Sequence, residues 1–495
     1  MATIHDRIKE DRDSHIIQSG FSWSDIRLFR NYANGKQKVV LTEKQKDLLK
    51  NLDVGRFCDN VCGQILLEST GRVQFLGWEC KNKVVKDWLD DLYKIAKIEG
   101  RQGDFHHRTF RDGNFALSVV WDNAKERIRV LREDWWDGLN GVYLHYGEDG
   151  EIEYAVKEWR VKNYLQGNQI FEQIRRTVYF EDRIERYINP SGAQGADQWI
   201  EFALPEDEGV WPMPWLNNNG EPMGIPFVHY PNVAKTYGEY GVSELDGGVI
   251  GFQDQLNDAQ LSIAITVRLT GGQQYYATGV RPKKKDGSDE YVPIKVEPGA
   301  MHTTPNENAK FGVLPAGDID KQISGYSLKL KRVSQMSATP LHVISGGDWP
   351  SGEALLRAEM PAVNKAWKQI FRLSTSYIEL AVMAAKIYNR FKSTSMAEIN
   401  TAIEDGIIES KFADPERRDA ISRSIIVHNL AGNISKREAM RVMNYSEEKT
   451  QEVYDEILEE GNDSAEAMLR ATLRGNTPGE KESRGGNNNT NENAL

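Results

Sequence analysis

The sequence predicts an α+β chain of several modules, and three observations carry that class. At 495 residues the chain is too long for one simple core, so about two to four modules are the default. Helix-period patterns at both ends enclose a middle stretch of β-type runs between residues 112 and 204. Residues 351–391 then read as one long helix, with Val363, Trp367, Ile370, Ser374, Tyr377, Ala381 and Ala385 in steps of three and four. At 1.5 Å per residue that run spans about 60 Å. Ser351 serves as its cap, Glu353 suits the positive end of the helix dipole, and Pro361 should kink it. A helix of this length either braces a large assembly or lies buried in an ordinary large enzyme, and length and period alone do not choose.

Hydrophobic residues make up 39% and charged residues 27%, the balance of a soluble globular chain. No apolar run approaches the ~20 residues that span a bilayer, so no membrane role is expected, and the first residues, MATIHDRIKEDRDSHIIQ, are too charged for a signal peptide. The three cysteines, Cys58, Cys62 and Cys80, cannot all pair, and a reducing cytosol is the simpler setting. A net charge of −11 repels free nucleic acid on average, so any contact with DNA must be local or deliberately non-adhesive.

Residues 1–100 read as largely helical. Phe21, Trp23, Ile26, Leu28 and Phe29 form an apolar cluster, a helical pattern opens at Leu41-Thr42-Glu43 and runs toward Leu66, and 83–100 repeats the period through Trp88, Leu92 and Ile95 before a glycine. Cys58 and Cys62 share a helix face; with no histidine or further cysteine at ligand spacing, buried thiols are favoured over a metal site. The turn signal Asp112-Gly113-Asn114 opens a strand, and β-type runs follow at 127–131, 142–146, 151–161, 177–188 and 199–204, as a meander or two small sheets. His106 and His107 precede them without a carboxylate, serine or cysteine at motif spacing, which favours surface or packing roles over catalysis. Trp135-Trp136 and the Trp- and Pro-rich stretch 210–226 read as a binding surface or, the commoner case, a packed connector.

From Tyr240 the pattern is helical again, with Ser243 and Asp246 as a capping box and Leu245, Val249, Phe252, Leu256, Ala259 and Ile263 as a stripe. A module follows at 270–317. It holds the basic run Arg281, Lys283, Lys284 and Lys285 and a β-type run at 291–296. A second helix starts at the cap Asp318, carries Ile319, Ile323, Tyr326, Leu330 and Val333, and ends by Pro340. Matched helices around a small module suggest an antiparallel pair that projects it from the body. The segment LHVISGGDWPSG then leads into the long helix.

This order resembles the portal proteins of tailed bacteriophages. Tyr240-Gly241-Val242-Ser243-Glu244-Leu245 and Phe252-Gln253-Asp254-Gln255-Leu256-Asn257 resemble the first stem helix of that family, and Ser351-Gly352-Glu353-Ala354-Leu355 the start of its wing helix. Gly432-Asn433-Ile434-Ser435-Lys436-Arg437-Glu438-Ala439 resembles the crown, and Asp112-Gly113-Asn114-Phe115-Ala116-Leu117-Ser118-Val119 the wing sheet. The resemblance implies an N-terminal wing region at 1–239, a first stem helix at 240–269 and a clip at 270–317. It further implies a second stem helix at 318–339, a tunnel loop at 340–350, a long wing helix at 351–392, a helical crown at 393–475 and a disordered polar tail at 476–495.

No G-x-x-x-x-G-K-[ST], H-E-x-x-H, G-x-S-x-G or Cys-x-x-Cys is present, so no catalytic site, cofactor or metal is expected. The resemblance implies a dodecameric ring at one capsid vertex of the virion, assembled in the host cytoplasm, with double-stranded DNA passing through its channel. Its implied partners are the large terminase ATPase, the major capsid and scaffolding proteins and a head-completion adaptor. Arg281, Lys283, Lys284 and Lys285 read as a solvated loop or as the docking site for motor and adaptor. Ser345, Gly346, Gly347, Asp348 and Trp349 read as a mobile, DNA-facing tunnel loop or as a rigid connector. The competing expectation is an acidic cytosolic enzyme whose active site carries no familiar motif.

Overall fold

Two helices open the chain, and the sequence starts both in the same way. Helix α1 (Ile4–Ser19) begins at Thr3, whose hydroxyl accepts from the Asp6 amide while the Asp6 carboxylate accepts from the Thr3 amide. Helix α2 (Trp23–Ala33) repeats this with Ser22 and Asp25. Reciprocal caps of this kind satisfy amides that the first turn leaves open. The structure is a computed structural model and describes residues 3–39, 43, 46–47, 59–165, 169–190, 198–204, 209–234, 238–270, 275–280, 306–313, 318–345, 352–392 and 408–416. The chain divides into two compact units, Met1–Pro415 and Glu416–Leu495, and all the elements below belong to the first.

Helices α3 (Val61–Arg72), α4 (Lys83–Ile95) and α5 (Ile98–Asp112) follow, with strand β1 (Phe75–Glu79) after α3. The single helix expected at 83–100 is divided. Lys97 takes the left-handed φ of 53°, so Gly100 lies inside α5 instead of closing α4, and His106 and His107 are helical residues.

The β region holds β2 (Asn114–Asp122), β3 (Arg127–Glu133), β4 (Gly141–Tyr146), β5 (Ile152–Leu165), β6 (Gln169–Tyr179), β7 (Arg183–Asn189), β8 (Ile200–Glu201), β9 (Met213–Pro214) and β10 (Phe227–Pro231). Both alternatives read from the sequence are present at once, as a three-stranded sheet β10-β2-β3 and a meander β4-β5-β6-β7-β8 with β9 beside β7. The run expected at 177–188 is a hairpin rather than one strand. Its turn is closed by the Phe180 amide donating to the Arg183 carbonyl at 2.9 Å. Residues 114–119 of β2 are all buried, the pattern of a strand covered on both faces.

Helix α1 is clamped to the meander by charge. Arg176 of β6 bonds both Asp11 and Glu158, Arg12 reaches Glu158 at 2.7 Å, and the Tyr143 hydroxyl donates to Asp11 at 2.6 Å. Burial alone would raise the Asp11 pKa, but the Arg176 charge and the two hydroxyls of Tyr143 and Tyr154 outweigh it and hold the carboxyl below its usual range.

The remaining elements are α6 (Val249–Thr270), β11 (Tyr275–Thr278), β12 (Lys310–Val313), α7 (Ile319–Ser337), α8 (Leu341–Ser345), α9 (Gly352–Phe391) and β13 (Glu409–Phe412). Helix α6 starts at Val249, not near residue 240. Gly247 and Gly248 have φ of +72° and +97°, which no helical turn accepts. The Ser243 hydroxyl is engaged elsewhere, donating to the Arg111 carbonyl at 2.5 Å. Asp318 does cap α7, accepting from the Lys321 amide at 3.1 Å.

Helix α9 is 40 residues long and continues through Pro361. Its buried side is set by Ala362, Val363, Ala366, Ile370, Leu373, Tyr377, Ala381 and Ala384. Small residues on that side let it approach the β2 sheet closely. Trp367, expected inward, is 39% exposed, because the buried stripe runs one position earlier, through Ala366. Strand β13 is a second departure, since residues 409–412 lie in a stretch expected to be helical; it pairs antiparallel with β1. Together these strands grip α9, with the Phe75 ring stacked on Tyr377 at 3.8 Å between centroids and Trp78 Nε1 donating to the Tyr377 carbonyl at 2.8 Å.

Candidate functional site

The feature most unlike an ordinary core is the antiparallel column made by α6, β11, β12 and α7. Partners climb one arm as they descend the other. Lys329 Nζ donates to the Gln255 carbonyl at 3.2 Å, Gln260 Nε2 to the Tyr326 hydroxyl at 3.2 Å, and Gln322 Nε2 to Thr266 Oγ1 at 3.1 Å. The strands continue the same register, pairing Tyr276 with Gly312 and Thr278 with Lys310. A Cβ at Gly312 would stand 2.7 Å from the Tyr276 ring, which lies across the glycine in the present arrangement.

The base of the column is held by buried polar groups. Gln253 Nε2 donates to the Asp59 carbonyl at 2.8 Å, the Asp59 amide donates to Asn257 Oδ1 at 3.1 Å, and the Cys62 amide donates to Gln253 Oε1 at 3.2 Å. Across the pair, the Tyr326 hydroxyl donates to the Asp59 carboxylate. Burial, and then Asp59 itself, push the Tyr326 phenol up to about 12, so it stays a donor. Exposure rises away from this base. Leu256 and Leu261 are buried, whereas Val267 and Ile323 are 46% and 47% exposed.

A second joint ties the column to α9. Lys365 Nζ lies 2.8 Å from Glu244 Oε2 and 2.7 Å from the Ser337 carbonyl at the end of α7, where a cation also meets the negative end of the helix dipole. Gln369 Nε2 donates to Glu244 Oε1 at 2.8 Å. The loop before α6, the end of α7 and the middle of α9 are therefore joined through Lys365, Gln369 and Glu244. None of these residues was singled out from the sequence for such a role. The usable signal was Gln253 and Asn257, amides that share the inward stripe of α6 with Leu256.

Of the residues expected to face DNA, Ser345 ends α8, exposed, with its hydroxyl donating to the Leu341 carbonyl at 2.9 Å. Gly346, Gly347, Asp348 and Trp349 lie outside the described residues, as do Arg281, Lys283, Lys284 and Lys285, Cys58, Ser351 and the crown and tail from 417 onward. Trp135 and Trp136, 2% and 4% exposed, are packing residues; the Trp211 and Trp215 indoles donate to the Arg186 and Gly224 carbonyls, while residues 218–222 of the second stretch are exposed. His106 is fully buried and Cys62 likewise. Among the described residues, no group of His, Cys, Asp and Glu is placed to hold a metal, and no helix is long and apolar enough to cross a membrane.

No protein-family model matches the chain, and no curated protein matches it. Among solved structures it is similar to the neck of an empty GTA particle computed with C6 symmetry, at 12% identity and a TM-score of 0.41 over 82% of this chain and 94% of that one. It is also similar to the neck of a native GTA particle computed with C12 symmetry, at 12% identity and a TM-score of 0.40 over 83% and 96%.

Proposed function

We propose that the chain is a portal subunit, a head-to-tail connector that assembles into a dodecameric ring at one capsid vertex and forms the channel for genome packaging and ejection. The observation that carries this reading is the column. Two antiparallel helices bear a small two-stranded tip and lead, through α8 and a short glycine-containing segment, into a 40-residue helix bound into the body. That is the order of parts which the sequence motifs resemble. A monomer gains nothing from a column whose flank is apolar, yet Val267, Phe311, Val313 and Ile323 are each 46–48% exposed along it. Identical neighbours packed side by side would cover them.

In this reading the tip carries Arg281, Lys283, Lys284 and Lys285 toward the terminase motor and later the head-completion adaptor. Residues 345–349 face the channel, where Asp348 adds a ring of negative charge that keeps a moving duplex from sticking. The major capsid and scaffolding proteins contact the body. The chain itself is not an enzyme, and the motor is a separate ATPase.

Electron microscopy and sedimentation of the purified protein test the proposal. Closed rings with a central hole are expected. A 56.2 kDa monomer at every salt and protein concentration would overturn it in favour of an acidic enzyme.

A further inference from the structure

Helix α9 carries an apolar surface that the described residues leave exposed. Met360, Trp367 and Phe371 are 47%, 39% and 69% exposed, and their steps of seven and four keep them in one stripe. The Trp367 and Phe371 ring centroids lie 6.1 Å apart. On the opposite side of the helix, Lys365 and Gln369 hold Glu244, and Arg372 Nη2 donates to the Gly238 carbonyl at 2.8 Å. At about 100° per residue the aromatic stripe points about 180° away from Gln369.

The segment that contains Gly238 forms one wall of a groove of about 670 Å³, whose other wall is the turn between α1 and α2. Phe21, Leu28, Tyr240 and Ile250 line it, and Leu28 is 41% exposed. One face of α9 therefore presents aromatic side chains, while the groove against residues 238–250 offers apolar side chains among polar ones. Charge matches shape. Arg357 and Lys368, both exposed, lie along one edge of the stripe, and Asp25 and Asp246 line the groove. A closed ring needs two such unlike, complementary faces on each copy.

We propose that the Met360, Trp367 and Phe371 stripe of one copy seats in the groove between the α1–α2 turn and residues 238–250 of the next copy. The inference rests on the ring reading above and names the contact that closes it. Apolar knobs against Phe21, Leu28, Tyr240 and Ile250 supply the buried centre, and the lysine and arginine beside the aspartates set the direction around the ring.

The test is a double variant, Leu28→Cys with Phe371→Cys, oxidised mildly after assembly and run on a denaturing gel beside both single variants. The unmodified chain sets the background from its own three cysteines. Both positions are exposed, so folding is expected to survive, and circular dichroism checks it. The double variant should give a ladder of covalent multimers, and the single variants none above background. A dimer from either single variant would mean two-fold packing and overturn the proposal. Rings by microscopy without a ladder would overturn this contact and leave the ring reading standing; absence of any assembly by the unmodified chain would remove both. Independently, Phe371→Asp should raise the protein concentration for half-assembly at least tenfold with an unchanged Tm, and unchanged assembly would overturn the contact.

Discussion

His106 Nε2 lies 3.0 Å from the Tyr377 hydroxyl, and the other nitrogen of the same ring lies 3.1 Å from the Val73 carbonyl, so one imidazole joins α5, α9 and the entry to β1. It does this without a charge. Burial pushes the His106 pKa down to about 4, and burial likewise pushes His15 and His229 down to about 3.

Acid sensitivity follows from these three rings. Unfolded, each takes up a proton below its ordinary value of 6.5; folded, none does until the pH approaches 4 or 3. Stability is therefore intact above that ordinary value and drains as the pH falls below it, at about 1.4 kcal/mol per pH unit for each ring. Glu379, pushed up to about 7 by burial and by Glu151 and Glu239, opposes them, but it is one group against three. Tm measured at pH 7 and at pH 5 should fall clearly toward acid. Equal values would mean that the rings are solvated.

Lys365→Met should cost about 3 kcal/mol, because it removes one partner of an ion pair in which Glu244 is 9% exposed. The paired change with Glu244→Gln should recover much of that loss, as a double-mutant cycle by urea unfolding would reveal. Additive losses would show that the two side chains act separately.

Gly241→Ala and Gly251→Ala should differ in sign. A Cβ at Gly241 would stand 2.3 Å from the Asn232 amide nitrogen and the Gly113 carbonyl oxygen, backbone atoms that cannot step aside. A loss of about 3 kcal/mol or more is expected. At Gly251, inside α6, nothing lies within 4 Å, and alanine should add about 0.5–1 kcal/mol. Thermal melts of both variants settle the comparison.

Charge reversal at Arg281, Lys283, Lys284 and Lys285 should spare ring formation and weaken binding of the packaging motor, while Gly346→Val with Gly347→Val should leave rings intact and slow DNA packaging. A pull-down with the motor and a packaging assay read the two effects. Unchanged motor affinity removes the docking role, and normal packaging makes the loop a plain connector.

What was legible in the sequence was whatever depends on local chemistry. The cap at Asp318 and the long period of α9 are written in neighbouring residues, and the structure has both. The start of α6 was misplaced because an apolar stripe carries no record of φ, and only the two left-handed glycines forbid the turn. The pairing of β1 with β13 was invisible for another reason, since strands of five and four residues, far apart in the chain, leave no pattern in either neighbourhood. Asp59 could not be found at all. Its importance lies in meeting Gln253, Asn257 and Tyr326 from distant segments, and a lone aspartate beside a helix start looks like any cap.

The shared register of α6 and α7 constrains how this protein can change. One residue added to a single arm would slide every later partner past its mate, parting Gln260 from Tyr326 and delivering Tyr276 to a position that has no glycine opposite. Such a lesion would be felt at the tip, far from where it was made. A change in the length of the column that keeps these partners must therefore alter both arms together.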